Sequence, residues 1–118
     1  MLIALPEGHD YVQTFQVRDV QNAVVDLTLC TAISFTAYVI TELYTGAPSA
    51  SFTWTLAAGH WDIDDDPTTG LITLTVEDTA LDGLAGRYQW EAKATIDGDI
   101  IYIGGGDLDI FPTRQDGA

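Results

Sequence analysis

An all-β fold, a single antiparallel β-sandwich of about eight strands with one short helical turn, is what this sequence predicts. Three observations predict it. Apolar and polar residues alternate with a period of two through most of the chain, turn-forming clusters interrupt the alternation at short intervals, and helical signals are confined to one ten-residue stretch. At 118 residues the chain is expected to be one domain, residues 1–118. A domain of that size buries roughly two-thirds of the surface its unfolded chain exposes, so it needs neither a disulfide nor a metal merely to fold.

The elements follow in order. The opening "MLIAL" is short and apolar. Leu2, Ile3 and Leu5 read either as an ordinary edge strand or as a patch that meets a partner. Strands are expected at 11–17 and 23–28, separated by the turn signal "RDVQN". In "ISFTAYVI", Ile33, Phe35, Ala37 and Val39 share one face opposite Ser34, Thr36 and Tyr38. After "TGAPS", "SFTWTL" sets Phe52, Trp54 and Leu56 against Ser51, Thr53 and Thr55. "LITLTV" repeats the pattern with Ile72, Leu74 and Val76 inward. The segment 77–86, "EDTALDGLAG", holds the helical turn, with Asp78 as cap and Gly83 or Gly86 as stop. "RYQWEAKATI" alternates most cleanly, with Tyr88, Trp90, Ala92, Ala94 and Ile96 inward. Asp97-Gly98 then reads as a tight hairpin into strands at 100–104 and 107–111, with a bulge or strand switch at the glycines 104–106. Phe35, Trp54, Leu74, Tyr88 and Trp90 are the expected core.

Charge is the strongest compositional signal. Eighteen acidic residues face four basic ones, for a formal net charge of −14, and fourteen of the acids are aspartate. Nucleic-acid binding needs a basic stripe to neutralise phosphates, and docking on an anionic membrane needs the same sign, so neither partner is expected. Yet 47% of the residues are hydrophobic, which excludes disorder and implies a core beneath a strongly acidic coat. Cys30 is the single cysteine, expected as a small buried hydrophobe without a cation to activate it. The opening residues lack the basic leader of a signal peptide, and no apolar run is long enough to span a bilayer, so synthesis in a reducing cytoplasm is expected.

The most suggestive chemistry lies in "HWDIDDDPTTG", residues 60–70. Asp62, Asp64 and Asp66 copy the first three ligand positions of a helix-loop-helix calcium loop, but Pro67 stands where glycine is needed and Thr73 where glutamate is needed. The segment reads as a solvated turn. A looser calcium site drawing on Asp62, Asp64, Asp65 or Asp66 is its alternative; no other cofactor is expected. His9 and His60 with one cysteine do not make a zinc set, and no serine sits in a nucleophile frame, so the chain is not expected to be an enzyme. Trp61 falls outside a clean alternation and is the candidate exposed aromatic, for a sugar or a protein partner, with the core as the alternative reading.

Two stretches together carry a resemblance. "GHDYVQTFQVRDVQNAVVDLT" presents Gly8, Asp10, Phe15, Val17, Asp19, Asp26, Leu27 and Thr28 in order. "TGLITLTVEDTALDGLAGRYQWEAKATIDGDIIYIGGGDLDIFP" presents a strand after Gly70, a Thr79-Ala80-Leu81 turn, Gly86-x-Tyr88 opening a strand, the Asp97-Gly98 hairpin and a closing Gly-x-Leu-x-Ile strand. This order resembles small immunoglobulin-like β-sandwich modules of tailed-bacteriophage virions, including the amino-terminal module of baseplate upper proteins. It departs from them after Asp19, where Gln21-Asn22-Ala23 replaces the usual glycine. The resemblance implies a non-enzymatic virion protein, either a capsid decoration (cement) protein or a baseplate or tail-fibre attachment subunit. It also implies other virion proteins as partners and homo-oligomers around a symmetry axis. A calcium- or carbohydrate-binding module is the further alternative.

Overall fold

The computed structural model describes residues 2–39, 50–81 and 83–111. The chain is all-β, in two sheets. The strands are β1 (Ile3–Pro6), β2 (Tyr11–Gln16), β3 (Cys30–Val39), β4 (Ala50–Thr55), β5 (Trp61–Ile63), β6 (Leu71–Val76), β7 (Gly86–Ile96) and β8 (Asp99–Phe111). One sheet has the order β1-β8-β7-β3-β4 and the other β2-β6-β5. Buried residues of both sheets form one hydrophobic cluster.

Period-two patterning explains most of these elements. Along β7 the buried residues are Tyr88, Trp90, Ala92, Ala94 and Ile96, and on β6 they are Ile72, Leu74 and Val76. Aromatics fill the centre. Phe35 lies between Trp54 and Trp90, stacked on each, with ring centroids 4.9 and 5.0 Å away. Phe15, on the smaller sheet, reaches Trp90 on the larger at 6.1 Å and so ties the two sheets together. The glycine run has a packing reason: a Cβ on Gly104 would meet the Trp90 ring at 3.3 Å, and one on Gly105 would meet the Tyr102 hydroxyl. These glycines form a floor on which two aromatic rings lie. Asp97 and Gly98 both take positive φ, 49° and 83°, as the predicted two-residue hairpin requires.

Several expectations need correction. The sheets are not purely antiparallel, because β1 runs parallel to β8, pairing Ile3 with Leu108 and Leu5 with Ile110. No hairpin links these two strands, so connectivity does not impose an antiparallel sense. Residues 23–28 form no strand. Asp19 and Asp26 capture nearby backbone amides with their carboxylates, leaving a single Arg18–Val24 bridge. The strands expected at 100–104 and 107–111 are one strand, β8. Its register slips by one residue, since Lys93 faces Tyr102 while Ala92 faces Gly104, which makes Ile103 the bulge. A short strand, β5, lies inside the acidic segment. Among the described residues there are two 3-10 turns, at Pro67–Thr69 and Asp78–Leu81; the second falls where the helical turn is expected. Cys30 is half-buried rather than fully enclosed, and burial pushes its thiol pKa up against the weaker pull of its bond to the Ala32 carbonyl.

Candidate docking surface

Three connections meet at one end of the molecule: residues 17–29 between β2 and β3, residues 64–70 between β5 and β6, and the Asp97-Gly98 hairpin between β7 and β8. The backbone joins them. Val17 N–H donates to Gly70 O at 2.8 Å, Leu27 N–H to Pro67 O at 2.9 Å, and Asp97 N–H to Leu29 O at 3.1 Å. Gly70 makes this junction close-packed: at φ 70° a Cβ there would stand 2.8 Å from the Val24 side chain and 3.0 Å from Val25 O.

The acidic segment serves this junction. Asp66 caps the 3-10 turn, accepting from Thr68 N–H at 3.1 Å and from the Thr68 hydroxyl at 2.6 Å. Asp64 accepts from Asp66 N–H at 3.2 Å and from the Thr69 hydroxyl at 3.3 Å. Asp62 stands apart on β5, exposed, opposite Thr73. Asp62, Asp64 and Asp66 are therefore not gathered around one point, and among the described residues no group of three or more His, Cys, Asp or Glu side chains is arranged to hold a metal ion.

The other sequence candidates land elsewhere. Trp61 is buried, 5.7 Å from Phe15, and its indole N–H donates to Trp54 O at 3.1 Å. It pairs with Leu74 across β5–β6, so the local break in alternation is a three-residue strand and not an exposed aromatic. Ile3 and Leu5 are core residues on β1, which removes them as a surface patch; Leu2 and Ala4 beside them are exposed. Phe35, Trp54, Leu74, Tyr88 and Trp90 are all buried.

What the sequence reading missed is an apolar surface at this same end. Val20, Leu29, Ile100 and Tyr102 are all exposed, Val20 fully and Ile100 to 70%. Val20, Ile100 and Tyr102 line one open groove of about 430 Å³ together with Arg18 and Asp19. Polar chemistry shapes the turns that carry Val20 and Leu29, while Ile100 and Tyr102 stand on the outer face of β8. The Asp19 carboxylate accepts from Gln21 N–H at 2.9 Å and Ala23 N–H at 3.0 Å, while Asn22 N–H donates back to Asp19 O at 2.9 Å. Asn22 takes φ 64°, the conformation a glycine would otherwise supply, and Val20 is carried on the tip of this braced turn. Leu29 follows a second braced turn, where Asp26 accepts from Thr28 N–H at 2.9 Å and from its hydroxyl at 2.6 Å. The Thr28 hydroxyl, more than its amide, holds the Asp26 carboxyl below its ordinary pKa. Covering one such side chain gains roughly 1.5–3 kcal/mol, so Val20, Ile100 and Tyr102 in one groove, with Leu29 in a neighbouring hollow beside Ile96, form a candidate contact site.

A signal for this surface was present in "IIYI", residues 100–103. Four consecutive apolar residues on a half-buried strand must send some of them outward. Val20, set among polar turn residues, gives a second signal of the same kind. No family model matches this chain, and neither does any curated protein.

Proposed function

We propose that the chain is an immunoglobulin-like β-sandwich acting as a non-enzymatic structural protein of a tailed-phage virion, a decoration protein that docks on the outer shell and stabilises it. The strand order supports the fold reading. With β2 to β8 taken as strands B, C, C′, D, E, F and G, the sheets are G-F-C-C′ and B-E-D, with β1 added beside G. Tyr88 supports it as well. It lies near the start of the F-equivalent strand, and its hydroxyl donates to Leu84 O at 2.6 Å across the preceding corner, the tyrosine corner of such domains.

The observation that carries the functional reading is the exposed apolar group of Val20 and Leu29, on or beside braced turns, with Ile100 and Tyr102 on β8, in a chain of net charge −14. Folding alone gains nothing from presenting these side chains to water, whereas a docking protein does. The resemblance in the two quoted stretches supplies the kind of particle. The test is quantitative mass spectrometry of particles purified from a culture infected with the phage that encodes this chain. Copies in the hundreds, in simple ratio to the major capsid protein, are expected. A handful of copies matching the tail's symmetry would move the chain to the baseplate or a fibre junction, and absence from particles would overturn the virion reading.

A further inference from the structure

We infer that the end formed by the β2–β3 connection and the β7–β8 hairpin is the docking face, and that its occupant is a protein surface with an apolar centre and a rim of lysine and arginine. This deepens the virion reading and rests on it for the identity of the particle. Charge identifies the occupant. Around Val20, Leu29, Ile100 and Tyr102 the same end exposes the turn aspartates Asp64, Asp65 and Asp66, with Asp19 and Asp26 on one connection and Asp97 and Asp99 at the hairpin. Arg18 is the base among these connections, and its guanidinium already donates to Gln16 Oε1 at 2.6 Å and Asn22 O at 2.8 Å; Lys93, across β7–β8 from Tyr102, is ion-paired with Glu91 at 3.3 Å.

A surface of this kind selects by sign. A second copy would bring the same seven aspartates face to face, and nucleic acid or an anionic lipid surface would bring phosphates; each meets like charge. Basic side chains on the partner would reach the aspartate rim, arginine through paired N–H donors, while the apolar centres exclude water from each other. The braced turns at Asp19 and Asp26 keep the face in shape before contact, so little ordering is lost on docking.

The experiment uses particles produced without this chain and the purified full chain, with binding followed by co-sedimentation at 50 and 500 mM NaCl. The wild type is expected to bind and to lose affinity several-fold at the higher salt, because the Debye length that screens rim charges falls from about 14 Å to about 4 Å across that range. Val20→Ser combined with Ile100→Ser is expected to weaken binding about tenfold or more with an unchanged melting temperature, and Val12→Ser, exposed on β2, is expected to bind as the wild type. If the wild type binds but the double variant binds equally well, the docking face is wrong and the virion reading stands. If affinity is unchanged or rises with salt, the basic rim is wrong. If sedimentation of the free chain shows an oligomer that the double variant abolishes, the occupant is a second copy. If the wild type fails to bind at all, the virion reading falls and this inference falls with it.

Discussion

The two ends of the molecule use carboxylates differently. At the hairpin end, Asp19 and Asp26 bind amides of their own turns; Val20 and Leu29 point outward there, while Val17 and Leu27 pack into the core. At the opposite end, the carboxylates reach across to other connections. Asp10 accepts from Asp78 N–H at 2.8 Å and Glu7 from Gly83 N–H at 3.1 Å, and the Tyr88 hydroxyl braces the same corner through Leu84 O. There Leu81 turns in completely and Ala80 and Leu84 partly. Both ends satisfy backbone donors. Both also bury apolar residues, yet the hairpin end sends Val20 and Leu29 outward from the same connection that buries Val17 and Leu27, so the outward set is not a by-product of making turns.

The largest expected effect would break the comparison most directly. Leu81→Ala should cost about 2–5 kcal/mol, a large share of a typical domain's stability, whereas Val20→Ser should stay within about 0.5 kcal/mol. Denaturant unfolding of both variants checks this, and equal losses would abolish the distinction between the ends. Tyr88→Phe sharpens it at the tied end: removing the hydroxyl leaves Leu84 O without that donor and should cost about 1–1.5 kcal/mol.

The smallest effect is expected from Asp26→Asn and is read from its pH dependence. Hydrogen bonds from Thr28 favour the ionised carboxylate, so the folded pKa lies below the unfolded value near 4. The wild type's advantage is therefore complete above about pH 4 and is lost as pH falls through the folded value. Melting temperatures of the two proteins should converge in acid, and a gap that persisted at pH 2 would contradict the assignment.

Much of this architecture was legible because burial enforces a period of two. β3, β6 and β7 show one apolar face each, and Asp97-Gly98 carries its turn type in its composition. Other features depend on distant partners. β5 is three residues long, too short for a period, and Trp61 is buried only because Phe15 and Trp54 come to meet it. The 23–28 segment has strand-like composition, yet the aspartates before and within it compete for its amides. The parallel seat of β1 follows from strands a hundred residues away. At the candidate surface the acids were visible, but their use as turn braces was not, and the apolar group exists only once Val20 and Ile100 are brought to one groove.

That parallel pairing also sets an order of events during synthesis. Ile3–Pro6 meets Leu108–Phe111, so the contact closes a loop spanning nearly the whole described chain, the kind that folds late. At a ribosomal pace of about 5–20 residues per second, β1 waits roughly 5–20 seconds for β8 to be made. Through that interval Ile3 and Leu5 lack the strand against which they will lie. Nascent β1 thus carries two unpartnered apolar side chains until β8 arrives to cover them.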